Sequence, residues 1–145
     1  MGSGTVLQCR ACNHEQTFFF GIGMRHGMML FGNMDDAKVI ADLVKDADVI
    51  TEAKALIHEK NAKINPSDGA GNSLYMCPSC ETVHDRFYFR ISHDDGVFEP
   101  TYSCPHCQGR LTKLPDYRNI PVEDIRCSSC QEKGTLIESG VINWD

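Results

Sequence analysis

The chain has no run near the ~18 uncharged apolar residues that a membrane-crossing helix needs, and its first residues lack the apolar stretch of a secretory leader. A surplus of cations is also missing. Fourteen Lys and Arg face 20 Asp and Glu across 145 residues, a formal charge of −6 with a pI near 5.4. A chain-wide grip on DNA or RNA phosphates is disfavoured, because it needs clustered positive charge. Apolar residues are not scarce: 41% hydrophobic and 23% charged are globular proportions, so disorder throughout is excluded. The length leaves room for one ordinary domain or two small modules. Met1-Gly2-Ser3-Gly4 carries no pattern that assigns it to an element.

No cysteine stands alone. All eight fall into four C-x-x-C pairs: Cys9/Cys12, Cys77/Cys80, Cys104/Cys107 and Cys127/Cys130. A disulfide framework fits poorly, since the density is below the roughly 8–10% of disulfide scaffolds. Two residues between cysteines form a tight turn that aims both sulfurs at one point. Two such turns facing each other make the tetrahedral thiolate cage that Zn²⁺ prefers. The turn chemistry agrees: Pro78 and Pro105 follow the first cysteine of their pairs, while Asn13 and Gly109, just beyond two of the turns, tolerate positive φ.

The spacing favours sequential sharing. Cys104/Cys107 and Cys127/Cys130 lie 19 residues apart, within the usual window for such a site. Cys9/Cys12 and Cys77/Cys80 repeat the scheme across 64 residues. The expectation is therefore Cys9, Cys12, Cys77 and Cys80 at one site, and Cys104, Cys107, Cys127 and Cys130 at the other. A rival pairing joins Cys77/Cys80 to Cys104/Cys107 across 23 residues and leaves the outer pairs to meet. Sequential pairing is preferred because each half then has its own strand–turn–strand repeat.

Over about residues 5–20 and 73–138 the chain resembles the zinc-ribbon superfamily in tandem. The resemblance implies small antiparallel sheets around structural metal, as found in transcription factors, ribosomal proteins, enzyme appendages and adaptors. Gly21-Ile22-Gly23-Met24, after the first hairpin, is similar to a feature of uncharacterised bacterial proteins with the same four-turn layout, and implies no activity. The expected fold is a small metal-stabilised α+β structure: two zinc ribbons of short antiparallel strands, the first with an inserted helical segment. The expected division is residues 1–96, with the insertion at about 33–65, and residues 97–145.

Within the insertion, residues 35–63 read as helix. Val39, Ile40, Leu43, Val44, Ala47, Ile50, Ala53 and Ile57 recur at helical spacing. Asn33 or Asp35 suits the N-cap, and Asp46-Ala47-Asp48 offers a break, with Asp48 capping a second helix from Val49. The preceding Met- and Gly-rich stretch, holding Met24, Met28 and Met29, reads as a hydrophobic joint or as an adaptable partner surface. Arg86-Phe87-Tyr88-Phe89-Arg90-Ile91 alternates, with Phe87, Phe89 and Ile91 inward. Arg86, Tyr88 and Arg90 are then the candidate surface for nucleic acid or an acidic ligand.

No catalytic residues are expected. Two complete four-cysteine sets leave no open metal position for water, and no nucleophile sits beside a base. The expected cofactors are two Zn²⁺, with Fe as the alternative in an all-thiolate cage. Two Zn²⁺ and eight thiolates add four negative charges, taking −6 to about −10. Three roles follow: a non-catalytic zinc scaffold or adaptor with an unidentified protein partner, a nucleic-acid-associated ribbon regulator, or a rubredoxin-like iron electron carrier. No membrane partner is expected. A reducing, cytoplasmic location is expected because free thiolates need protection from oxidation.

Overall fold

Two β-hairpins of the same design organise the chain, each turning through a C-x-x-C pair. In the computed structural model, which describes residues 2–32, 35–116 and 119–144, β1 (Gly2–Cys9) pairs with β2 (Glu15–Phe20) from Ser3 opposite Phe20 to Gln8 opposite Glu15. Asn33 as an alternative helix cap therefore lies outside the described residues. Gly2, Ser3 and Gly4, unassigned by pattern, belong to β1. The second hairpin joins β4 (Gly71–Met76) to β5 (Val83–Tyr88). Alternation is visible in β2, where Phe18 and Phe20 are buried and Phe19 is exposed.

Each hairpin receives a third antiparallel strand on its first strand, arriving from another C-x-x-C turn. β8 (Thr112–Lys113) leaves the Cys104–Cys107 turn and pairs with β4, Met76 opposite Thr112. β9 (Leu136–Trp144) leaves the Cys127–Cys130 turn and pairs with β1 along its length, Cys9 opposite Leu136 and Gly2 opposite Trp144. The sheets are therefore β2-β1-β9 and β5-β4-β8. The strand after the last turn completes the first hairpin, so this sheet joins residues from both sides of the expected division at 96 and 97. The two hairpins meet where Gly21 and Asn72 exchange backbone hydrogen bonds of 2.9 and 2.6 Å. Gly71 is required there, since it has φ +156° and a Cβ would lie 2.9 Å from the Gly21 carbonyl carbon.

Between the hairpins lie α1 (Met24–Phe31), α2 (Asp36–Leu43) and α3 (Ala47–Glu59). Asp35 caps α2, its carboxylate accepting from Lys38 N at 3.0 Å. The single helix expected over 35–63 is broken, as Asp46-Ala47-Asp48 suggested, but Asp46 rather than Asp48 caps α3, accepting from Asp48 N and Val49 N. Its end is also earlier than expected. Lys63 belongs to β3 (Lys63–Ile64), because Ile64 N donates to the buried Asp36 carboxylate at 2.8 Å and Ile64 pairs with Ile91. β3 forms a third antiparallel sheet with β6 (Ile91–His93) and β7 (Gly96–Phe98), ordered β3-β6-β7.

The Arg86–Ile91 strand is split, with β5 ending at Tyr88 and β6 starting at Ile91 in another sheet. Its inward residues follow expectation: Phe87, Phe89 and Ile91 are buried, and the Phe87 and Phe89 rings stack at 5.6 Å. Leu30, Val39, Ile40 and Ala53 from the helices, with Val44 just after α2, bury against these rings and against Tyr75, Tyr102 and Leu111. A smaller cluster joins Leu7, Phe18, Phe20, Leu74, Val83, Ile125 and Leu136. Leu74 and Tyr75, neighbours in β4, supply opposite faces to the two clusters. Among the described residues, no helix is long and apolar enough to cross a membrane.

Candidate metal centre

One local design occurs four times. The first cysteine's carbonyl accepts from the residue after the second cysteine: Asn13, Glu81, Gln108 and Gln131 donate to Cys9, Cys77, Cys104 and Cys127 at 2.8–2.9 Å. The first cysteine's own N–H is taken five residues on, by the carbonyls of His14, Thr82, Gly109 and Glu132. The donors Asn13, Glu81, Gln108 and Gln131 all adopt positive φ, between 58° and 65°. That left-handed step reverses the chain and leaves the two sulfurs on one side. Asn13 meets the expectation, whereas in the third turn Gln108 makes the step instead of Gly109. Gly109 N instead donates to Cys107 Sγ at 3.4 Å.

The four turns bring the sulfurs into two groups, corrected from the sequential assignment. Cys9, Cys12, Cys127 and Cys130 form a terminal quartet, and Cys77, Cys80, Cys104 and Cys107 an internal one. The cause is strand pairing: β9 carries the last turn back to the tip of β1, and β8 carries the third turn to the tip of β4. The rival pairing is the one adopted.

Both quartets fit a tetrahedral metal. Within each, the four ligand atoms lie within 4.8 Å of one another, and all eight cysteines are free thiols. Sulfur pairs stand 3.7 Å apart for Cys9–Cys130 and Cys12–Cys127, and 3.5 Å for Cys77–Cys107. Four sulfurs about 2.3 Å from a central Zn²⁺ would be separated by about 3.8 Å. Backbone N–H groups of Ala11, Cys80, His106 and Ser129 point at Cys9, Cys77, Cys104 and Cys127 Sγ at 3.3–3.4 Å, spreading negative charge. Each quartet thus can hold a metal ion.

The thiols divide by environment. The Thr135 hydroxyl, 3.1 Å from Cys9 Sγ, brings that thiol down to about 6. Cys130 receives the Glu132 N–H, yet burial and the thiols of Cys9, Cys12 and Cys127 push it up to about 12. In the internal quartet burial opposes ionisation of Cys104, but the N–H groups of Cys107 and His106 prevail and bring it to about 7. The Cys107 thiol, with burial, pushes Cys80 up to about 12. One sulfur in each group ionises readily and a neighbour resists, as crowded like charges must until a cation joins them.

The quartets touch through Glu81. Its carboxylate lies 3.2 Å from Arg126 Nε and 3.0 Å from Lys133 Nζ. The Lys133 ammonium first, with Arg126, holds this carboxyl below the usual range. Neither Glu81 nor Thr135 was singled out by sequence reasoning. For Glu81 the signal was available, since it occupies the same offset as Asn13.

Of the candidate ligand surface, Arg86 and Tyr88 lie two residues apart on β5 with Phe87 buried between them, and Arg90 follows the end of that strand. Arg86 lines a small cleft with Phe19, Asp42, Lys45 and Asp85, and its guanidinium donates to the Asp85 carbonyl at 2.8 Å. Tyr88 lines a separate cleft of about 440 Å³ with Glu99, Arg110 and Lys113. Lys113 Nζ stands 4.8 Å over the Tyr88 ring, and Glu99 takes the Tyr88 hydroxyl and Arg90 Nε. On α1, Met29 packs against the larger cluster, while Met24 and Met28 are exposed with Phe31. His14 and His106 are exposed. His26 Nε2 meets Asp42 at 3.1 Å, and His58 is exposed on α3. No family model matches the chain, and neither a curated protein nor a solved structure does.

Proposed function

We propose that this is a non-catalytic zinc-binding protein of the zinc-ribbon kind, in which two structural centres hold the body together while its surface receives a protein partner. The observation that supports it is the sulfur geometry: two quartets at tetrahedral edge lengths, with N–H groups turned toward four of the sulfurs. All-thiolate donors select Zn²⁺ or iron over hard cations, and four protein ligands leave no position for a reacting water. The ions' contribution is therefore cohesion, of about 10–16 kcal/mol for a structural zinc at neutral pH. A reducing compartment, such as the cytoplasm, keeps such thiolates intact.

The partner-binding part rests on α1, where Met24, Met28 and Phe31 are exposed at i, i+4 and i+7. Flexible thioethers beside an aromatic ring suit an adaptable protein contact. The nucleic-acid reading has less support, because Arg90 and Tyr88 are engaged by Glu99 and Arg90 also meets Asp68.

Elemental analysis of untreated protein tests the metal. Two zinc ions per colourless chain are expected, whereas a red protein containing iron would replace the scaffold with the electron carrier. Salt-dependent binding of a single-stranded oligonucleotide, lost on changing Arg86 and Arg90, would favour the regulator.

A further inference from the structure

We infer that Glu81 is a positioning residue that couples the two metal centres, so that loading the internal quartet raises the metal affinity of the terminal one. The inference rests on the metal-binding reading above. Glu81 directly follows Cys80, and its left-handed conformation is fixed by its N–H bond to Cys77 O at 2.8 Å. From that position it holds the opposite centre twice. Its carbonyl accepts Arg126 N at 2.9 Å, at the entrance of the Cys127–Cys130 turn. Its carboxylate gathers Arg126, which enters that turn, and Lys133, which leaves it. Oε2, which makes both ion pairs, is shielded from solvent and has no hydrogen-bond partner among the described residues, so the two cations are what compensate its burial.

Arg126 completes the chain of contacts. Its Nη1 donates to Gln131 O inside the turn at 3.1 Å, and Arg126 and Lys133 face each other in a β-bridge. Glu81 therefore fixes the shape of half of the terminal quartet. When the internal quartet lacks metal, no cation ties its two turns together, and the turn that presents Glu81 is held by its own backbone hydrogen bonds alone. The Cys127–Cys130 turn must then be ordered at its own entropic cost before it can bind. Linkage makes the effect reciprocal, and couplings of this kind are typically about 5- to 150-fold.

Cobalt(II) titration of the full chain, read by thiolate-to-cobalt absorption and reversed with a competing chelator, tests this. In the native sequence both equivalents should bind and leave together. Glu81→Gln should keep the total absorption but make one equivalent about tenfold easier to remove, leaving the other unchanged. Adding Cys130→Ser should delete that weakened equivalent. Adding Lys133→Gln to Glu81→Gln should cost little more, because that pair acts as a unit. Independent equivalents in the native chain, or a shift below twofold in Glu81→Gln, would overturn the coupling and leave the metal reading standing. No cobalt–thiolate absorption in the native chain would overturn both.

Discussion

The two quartets share one turn design but close very different lengths of chain. Between the turns of the internal quartet lie 23 residues, and between those of the terminal quartet 114. Closing the longer span costs about 1.4 kcal/mol more in loop entropy, a modest handicap. Surroundings differ as well. Cys77 and Cys104 belong to the larger cluster with the helices, whereas Cys9 and Cys127 belong to the smaller one, which borrows Leu74 and Val83 from the inner hairpin. The internal centre should therefore form without the terminal one, whereas the terminal centre, closing the β1–β9 ladder, should need the inner unit folded beneath it.

Removing one centre at a time tests that dependence with the largest effect. Cys80→Ser with Cys107→Ser should cost several kcal/mol, disorder the helices' packing face and destabilise the terminal sheet too. Cys12→Ser with Cys130→Ser should release β2-β1-β9 while α2, α3 and the β4–β5 hairpin keep their amide protection. Hydrogen exchange read residue by residue checks both, and equal loss in the two variants would erase the hierarchy.

A β-branched residue at the left-handed position should cost about 1–3 kcal/mol in either quartet. Gln108→Val should lower the urea midpoint of the whole molecule, and Gln131→Val mainly that of the terminal sheet; Gln108→Gly should be tolerated. Thr135→Val removes a hydroxyl that, among the described residues, reaches a sulfur in the terminal quartet alone, at about 1 kcal/mol. Chelator should then strip one metal several-fold more easily, with the internal metal unaffected. The last effect is on pH. Burial first, then Arg86 and His106, hold His84 down to about 4, so the folded form favours the neutral ring. Its contribution is fully present above pH 6.5 and is lost as pH falls from 6.5 towards 4. The stability difference between pH 7 and pH 5 should shrink in His84→Gln, measured by denaturant unfolding at both pH values.

The cysteine spacing made the turns and their ligand character legible, because C-x-x-C geometry is local. Which turns share a metal was not, since both pairings satisfy the same local rule and only the long β1–β9 ladder decides between them. The helix caps were readable in part: Asp35 stands where expected, while Asp46 competes with Asp48 two residues away for the same role. α1 was hidden by Gly27, which lowers helix propensity inside it, and by Met24 and Met28, whose exposure spoils the amphipathic pattern. Arg86, Tyr88 and Arg90 were read as one face of a continuous strand, which in the structure ends at Tyr88. The bend after Tyr88 and the acidic Glu99 and Asp68 were invisible to local alternation.

The most direct test of the account replaces both metals with ¹¹³Cd and traces scalar couplings from each cadmium to cysteine β-protons. One resonance should couple to Cys9, Cys12, Cys127 and Cys130, and the other to Cys77, Cys80, Cys104 and Cys107. A single cadmium coupled to both Cys9 and Cys77, or none coupled to cysteine at all, would contradict it.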